Sequence, residues 1–192
     1  MLRLVVAGLL AEKLKMQNLA CELVDVVDAD NHIISTMTRQ QMRLQRLPHR
    51  ASYIVCQDLS GRFLIEVRTL CKDYAPGLLD ACVGGVMQHG EEAVSAARRE
   101  LEEELGLSGP QQVPLFVPLG IYRHRWADPS RFHFCYLYFA RTRGITRRQQ
   151  SEVSGLLNLS EAEVLALGSC CVSDSLVCFK EILHRARQQH LL

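Results

Sequence analysis

The chain has 192 residues, of which 48% are hydrophobic and 22% charged, and a formal net charge of +1. That length suits one domain whose core needs no staples, and the near-neutral balance gives no reason to expect nucleic acid or an acidic membrane as a partner. The eight cysteines contain no Cys-x-x-Cys pair, which excludes an obvious zinc site or disulfide framework and points to a reduced, cytoplasmic protein.

Residues 4–10 form an apolar run behind Arg3 that is too short to span a bilayer and lacks a convincing cleavage pattern. Residues 1–20 are therefore read as an N-terminal extension, with Met16 an alternative start, ahead of a domain over residues 21–187. Residues 22–28 and 32–36 alternate around an Asp-Ala-Asp-Asn cluster and predict a hairpin. Residues 38–44 are helix-prone, and Pro48 breaks them. Two strands, 51–58 and 62–69, flank the turn Leu59-Ser60-Gly61. A short strand over 79–83 ends at Gly84-Gly85. Residues 91–105 give the clearest helix, with Gly106 where a C-cap glycine belongs. Long β-rich runs follow at 115–126 and 132–140. The basic group Arg141, Arg143, Arg147 and Arg148 reads as a solvated loop. A strand at 152–159, a capping box at Ser160-x-x-Glu163 and a last helix from Ser173 to about Arg187 complete the chain. The fold class is α/β (α+β): a mixed sheet with helices on both faces.

On the helix over 91–105, Val94, Ala97, Leu101 and Leu105 form the stripe expected to be buried. Glu100, Glu103 and Glu104 form an adjoining acidic stripe at i, i+3 and i+4. Carboxylates beside a buried stripe are partly shielded from water, and a hard divalent cation removes the resulting cost. A solvated acidic face is the plainer alternative. The glycine pair before the helix lets backbone approach a ligand closely.

Residues 85–107, GVMQHGEEAVSAARRELEEELGL, match the pattern G-x5-E-x7-R-E-U-x-E-E-x-G-U (U aliphatic) at every fixed position: Gly85, Glu91, Arg99, Glu100, Leu101, Glu103, Glu104, Gly106 and Leu107. On these residues the chain resembles the Nudix hydrolases. The resemblance implies the Nudix α/β/α sandwich and hydrolysis of a diphosphate linkage in a nucleoside diphosphate derivative or related small molecule. It implies Glu100, Glu103 and Glu104 as ligands of Mg²⁺ (or Mn²⁺), one of them a candidate base for water. It makes Arg99 part of the catalytic group through ion pairs shared with Glu91.

Beyond this box, His49-Arg50-Ala51, the pair Arg68 and Lys72, and Pro76-Gly77-Leu78 resemble the YfcD-like branch, which is related to type I isopentenyl-diphosphate isomerase. By that resemblance Glu152 is a fourth metal ligand, the alternative being an ordinary strand-end glutamate. Arg68, Lys72, Gly84 and Gly85 become candidate substrate contacts, although solvated surface charge would also explain the two cations. His49 is either a metal or substrate contact or a structural residue at a strand entry. His124, Arg125, Trp126 and Arg131 gather at strand ends, where a tryptophan either stacks a ring or packs. The competing chemistry is the isomerase, which uses a cysteine and a histidine where this chain has Gly84 and Val86. Cys82 lies two residues off register, roughly 6.6 Å along a strand. A non-catalytic Nudix-fold binding module would have lost acidic positions that this chain keeps. The partner implied is a small-molecule diphosphate, with no nucleic acid or membrane, and many relatives are homodimers.

Overall fold

The computed structural model describes residues 21–128, 130–143 and 151–192. The N-terminal extension over residues 1–20, Arg147 and Arg148 lie outside the described residues.

β1 (Leu23–Val27) and β2 (Ile33–Thr38) form an antiparallel hairpin that stands as its own two-stranded sheet. Asp28 Oδ1 closes its turn by accepting the amides of Asp30 and His32, each at 2.9 Å. Thr38 then caps α1 (Arg39–Gln45): its hydroxyl accepts the Gln41 amide at 3.3 Å, and Gln41 Oε1 accepts the Thr38 amide at 3.2 Å. Met42 anchors α1 against Val24, Val26 and Val86.

The main sheet contains β3 (Arg50–Asp58), β4 (Phe63–Arg68), β5 (Leu79–Asp80), β6 (Leu115–Arg125), β7 (Phe132–Thr142) and β8 (Val153–Leu159). Its order is β5-β4-β3-β7-β6, with β8 paired to β4. Only β3 and β7 run parallel among these pairs; the others are antiparallel. Period-two alternation sends neighbouring β3 residues to opposite faces. Val55 meets Phe179, Ile182 and Leu183 of α5 (Ser173–Gln188), whereas Ile54 and Cys56 meet Ala97, Leu101 and Leu105 of α2 (Ala93–Leu105). The short α3 (Gly109–Gln112) and α4 (Glu161–Leu165) complete the helices, and α4 opens with the expected Ser160/Glu163 capping box. The result is the expected sandwich, a mixed sheet between helical layers.

Several expectations change in detail. The strand expected over 79–83 stops at Asp80, and beyond it Val83 and Val86 make isolated bridges to Ile54 and Ala51. The acidic helix starts at Ala93, so Glu91 lies in the preceding loop. Val94 is 46% exposed and not in the buried stripe, because packing of α2 onto the sheet begins at Ala97. Glu100 and Glu104 are instead buried beside Ala96, Ala97, Leu101 and Leu105. Arg141 and Arg143 are tied down: the Arg141 guanidinium donates to the Leu191 carbonyl at 2.7 Å and the Arg143 amide to the Gln112 carbonyl at 2.8 Å. All eight cysteines are free. Among the described residues, no helix is long and apolar enough to cross a membrane.

Candidate active site

Loop 84–92 and α2 are held together by one arginine. Arg99 grips both oxygens of Glu91 through Nε (2.8 Å) and Nη2 (3.0 Å), and its Nη1 reaches Glu100 at 2.9 Å and Glu103 at 3.2 Å. A planar guanidinium is suited to this because its donors are fixed in a fork. Glu91 also accepts the Gln88 amide at 3.0 Å. Burial by itself would raise the Glu91 carboxyl, but the Arg99 and Gln88 hydrogen bonds outweigh it and hold the group below its ordinary range.

The glycine pair brings backbone to the carboxylates. A Cβ on Gly84 would stand 2.0 Å from the Ser52 carbonyl oxygen, and one on Gly85 would stand 2.7 Å from Glu100 Oε1. Ser52 donates its amide to Gly85 O at 2.9 Å, and the Gly84 amide donates to Glu104 Oε2 at 3.2 Å. No side chain fits between strand β3 and the two glutamates.

Glu100 and Glu104 retain 7% and 2% of their exposure, whereas Glu103 points outward. Burial, and then the neighbouring Glu104 charge, push Glu100 up to about 8. Burial raises Glu104 as well, although Lys72 works against it. The Lys72 ammonium bridges Glu104 at 2.9 Å and Glu152 at 2.6 Å. Burial would lower the lysine, but those two carboxylates hold it above its ordinary range. Carboxylates from α2 and from the segment before β8 thus converge on a single cation. That donor set, hard oxygens poorly supplied with counter-charge, fits a divalent ion of the Mg²⁺ or Mn²⁺ kind.

Glu66 on β4 was not singled out in the sequence. It is 2% exposed, its Oε1 has no hydrogen-bond partner, and burial followed by the charges of Glu104 and Asp80 pushes its carboxyl well above the ordinary range. An acidic residue inside the apolar run FLIEVR was the available signal, but a half-solvated strand predicts Glu66 on the wet face. The β4 face that carries Leu64 and Glu66 lies under α2, where Leu64 packs with Leu101 and Leu105, so no wet face remains there.

Arg68 lines the cavity, yet its guanidinium is engaged with Asp80 (2.6 Å) and with the carbonyls of Tyr74 (2.7 Å) and Ala75 (3.2 Å). It clamps the loop carrying Lys72 and Tyr74.

The cavity has a volume of about 740 Å³, and the glutamates occupy only part of its wall. The rest carries Arg39, Arg43, His49, Tyr53, Tyr74, Trp126, His133 and Asp174. Asp174, in the first turn of α5, accepts the hydroxyls of Tyr53 (2.7 Å) and Tyr74 (2.8 Å). Tyr53 spends its proton on Asp174, so His133 Nε2 donates to the Tyr53 oxygen at 2.9 Å. His49 stacks on His133 with ring centroids 5.3 Å apart, and its Nδ1 lies 2.9 Å from the Leu47 carbonyl. Burial pushes His49 down to about 4, which makes it a neutral ring anchored at the strand entry. His124 and Trp126 meet edge to face at 4.8 Å beside His133. Arg125 and Arg131 do not line the cavity, and Arg131 pairs with Asp128 at 3.1 Å. A separate trio, Asp28, Asp30 and His32, sits at the exposed hairpin tip, where Asp28 already serves turn amides.

A family model for the NUDIX domain matches residues 47–169. Nudix hydrolase YfcD of Salmonella typhi is 41% identical over 155 residues, covering 81% of each chain. YfcD of Escherichia coli K12 is 39% identical over 163 residues, covering 81% of this chain and 83% of that one. The crystal structure of DR0079 from Deinococcus radiodurans superposes with a TM-score of 0.72 at 23% identity, over 84% of this chain and 99% of that chain. The NUDIX domain of NrtR from Shewanella oneidensis, solved with ADP ribose, superposes with a TM-score of 0.58 at 18% identity, over 80% and 99% of the two chains. A sandwich that buries a glutamate helix against a glycine-lined cleft defines a class of diphosphate-cleaving enzymes. With the match over residues 47–169 and relatives this similar, the chain belongs to that class, the Nudix hydrolase family of pyrophosphohydrolases.

Proposed function

We propose that this chain, through a domain over residues 21–187, is a Mg²⁺-dependent hydrolase (Mn²⁺ being an alternative ion) that cleaves a diphosphate linkage in a small molecule. The observation that carries the reading is the convergence of Glu100, Glu104 and Glu152 at one end of the cavity, with Lys72 and Arg99 as their cations. Glu100, Glu103, Glu104 and Glu152 would hold the ion, which when bound neutralises phosphate charge and makes water a better nucleophile.

The chain's own residues supply the rest. Arg99 fixes the angle of loop 84–92 to α2, and small displacements of reacting groups are costly. Gly84 and Gly85 let a phosphate come close to backbone. Lys72, a flexible ammonium, can turn from Glu152 to a phosphate oxygen. Glu104 is the base we favour: its Oε2 is aimed by the Gly84 amide, and its Oε1 meets the lysine. Arg68 acts through the loop that it clamps. The isomerase alternative needs a reactive thiol, and Cys82 does not supply one. Burial and the Asp80 charge push its thiol well up, and it donates to the Ser175 carbonyl at 3.5 Å. The ADP ribose bound by the NrtR domain places sugar-linked nucleoside diphosphates on the panel of substrates to try. A cytoplasmic setting suits eight free thiols.

The test is Glu104→Gln, assayed on a panel of nucleoside, dinucleotide, sugar-linked and isoprenyl diphosphates with Mg²⁺. The variant should lose roughly a hundredfold or more in kcat while its circular dichroism stays that of the parent. An unchanged rate would overturn the assignment.

A further inference from the structure

We propose that Arg39 and Arg43 form a second anion-binding subsite, which takes a phosphate monoester on the part of the substrate remote from the scissile diphosphate. This deepens the hydrolase reading and rests on it for the identity of the substrate, although not for the binding chemistry.

α1 places the two arginines one helical turn apart, so their side chains leave on the same side, and both line the cavity. The Thr38 capping box, the left-handed C-cap at Arg46 and the buried Met42 hold that helix in place. The only carboxylate paired with either arginine among the described residues is Asp73, itself 53% exposed. Asp73 serves them poorly. Its Oδ1 is 3.9 Å from Arg39 Nη2. Its Oδ2 is 3.0 Å from Arg43 Nε but out of hydrogen-bond alignment. Nε of both arginines is buried with no hydrogen-bond partner. A buried donor without an acceptor costs free energy that a bound anion would recover.

A third guanidinium adds to the positive field. The Arg43 and Arg68 guanidinium carbons lie 5.5 and 6.0 Å from the Tyr74 ring centre. Arg68 is already supplied with Asp80 and two carbonyls, so the unmet demand belongs to Arg39 and Arg43. Burial and then the Arg39 charge disfavour the Arg43 cation, and Asp73 offsets them only in part.

This demand is separate from that of the glutamates. The cations paired with the box glutamates are Lys72 and Arg99, whereas the charges acting most strongly on Arg43 are Arg39, Asp73 and Arg68. Two guanidinium forks at one place match a dianionic phosphate better than a single carboxylate. Tyr74, Trp126 and His133 line the same cavity, and their flat faces suit a ring joining the two ends.

The direct test is a calorimetric titration of inorganic phosphate into the metal-free chain in chelator. Phosphate should bind the parent and Glu104→Gln alike, and Arg39→Gln and Arg43→Gln should each weaken it roughly tenfold. If Arg43→Gln does not fold, Arg43→Lys replaces it; keeping the charge but losing the fork, it should weaken binding by a smaller factor. Phosphate affinity unmoved by changes at Arg39 and Arg43, or absent from the parent, would overturn the subsite. A kinetic arm uses two diphosphate substrates that differ only by an added phosphate monoester. Arg43→Gln should raise KM for the phosphorylated member and spare kcat; an equal effect on both members would contradict the proposal. A chain that cleaves no diphosphate at all would sink the hydrolase reading alone, and the phosphate titration would still decide the subsite.

Discussion

The two ends of the cavity are built on opposite charge and by opposite means. At one end, buried carboxylates on consecutive turns of α2 face too few cations, and Glu100 is pushed up to about 8. At the other, guanidinium groups on α1 face one exposed aspartate, with two buried Nε atoms that have no hydrogen-bond acceptor. The first end has a core close in sequence, Glu91 to Glu104, locked by one arginine, which Lys72 and Glu152 join from elsewhere in the chain. The second is assembled from α1, β3, the loop after β4, β7 and α5, with Tyr53 reaching Asp174 across 121 positions. A diphosphate held with its metal at the first and a phosphate monoester at the second would serve both, as proposed above.

Changes at the two ends should therefore differ in kind, and the largest effects belong to the carboxylate end. Gly84→Ala puts a methyl group 2.0 Å from a backbone oxygen of β3. Neither strand nor loop can yield by that much, so urea denaturation should show a loss of roughly 3 kcal/mol or more, or no folded protein. Arg99→Gln should follow. It leaves Glu91, Glu100 and Glu103 without their shared cation and should cost about 2–4 kcal/mol by the same measurement, with hydrolysis abolished. A variant as stable as the parent would remove Arg99 from its place as the lock.

The third effect is one of pH. An unfolded glutamate titrates near 4.3, and Glu100 in the fold is pushed up to about 8. Between those values the native state holds a proton that the unfolded chain has released. Metal-free protein should therefore lose stability as pH rises from about 5 to about 8. Saturating Mg²⁺ should remove the slope. A thermal-denaturation series that is flat without metal would contradict the burial of that carboxyl. The smallest effect belongs to the arginine side of the cavity. Tyr74→Phe removes one of two hydroxyls on Asp174 and should cost about 1 kcal/mol, with a rise in KM for ring-bearing substrates larger than any fall in kcat. A fall in kcat alone would mean that this wall serves the chemistry and not recognition.

The same contrast explains what the sequence disclosed. The acidic helix, its capping glycine and the preceding glycine pair are local patterns, and the structure finds them where the spacing puts them. The fold class followed from strands and helices whose periodicity is also local. The parallel pairing of β3 with β7 is not local, because no turn records which strand lies beside which. Val94 fits the helical stripe, but its turn lies short of where α2 packs on the sheet. Glu66 obeys strand alternation only if one face of β4 is wet, and α2 closes that face. Lys72 and Glu152 were named separately; their meeting at 2.6 Å depends on loops folding toward each other. Arg39 and Arg43 read as part of a polar helix, since nothing in seven residues says that one side of it faces a cavity.

Everything proposed for the carboxylate end requires its buried glutamates to hold a divalent cation. Titration of Mn²⁺ into metal-free protein, followed by calorimetry for the parent and for Glu104→Gln, tests it most directly. A saturable site is expected in the parent, with affinity weakened roughly tenfold or more in the variant. Equal affinities, or no saturable binding in the parent, would contradict it.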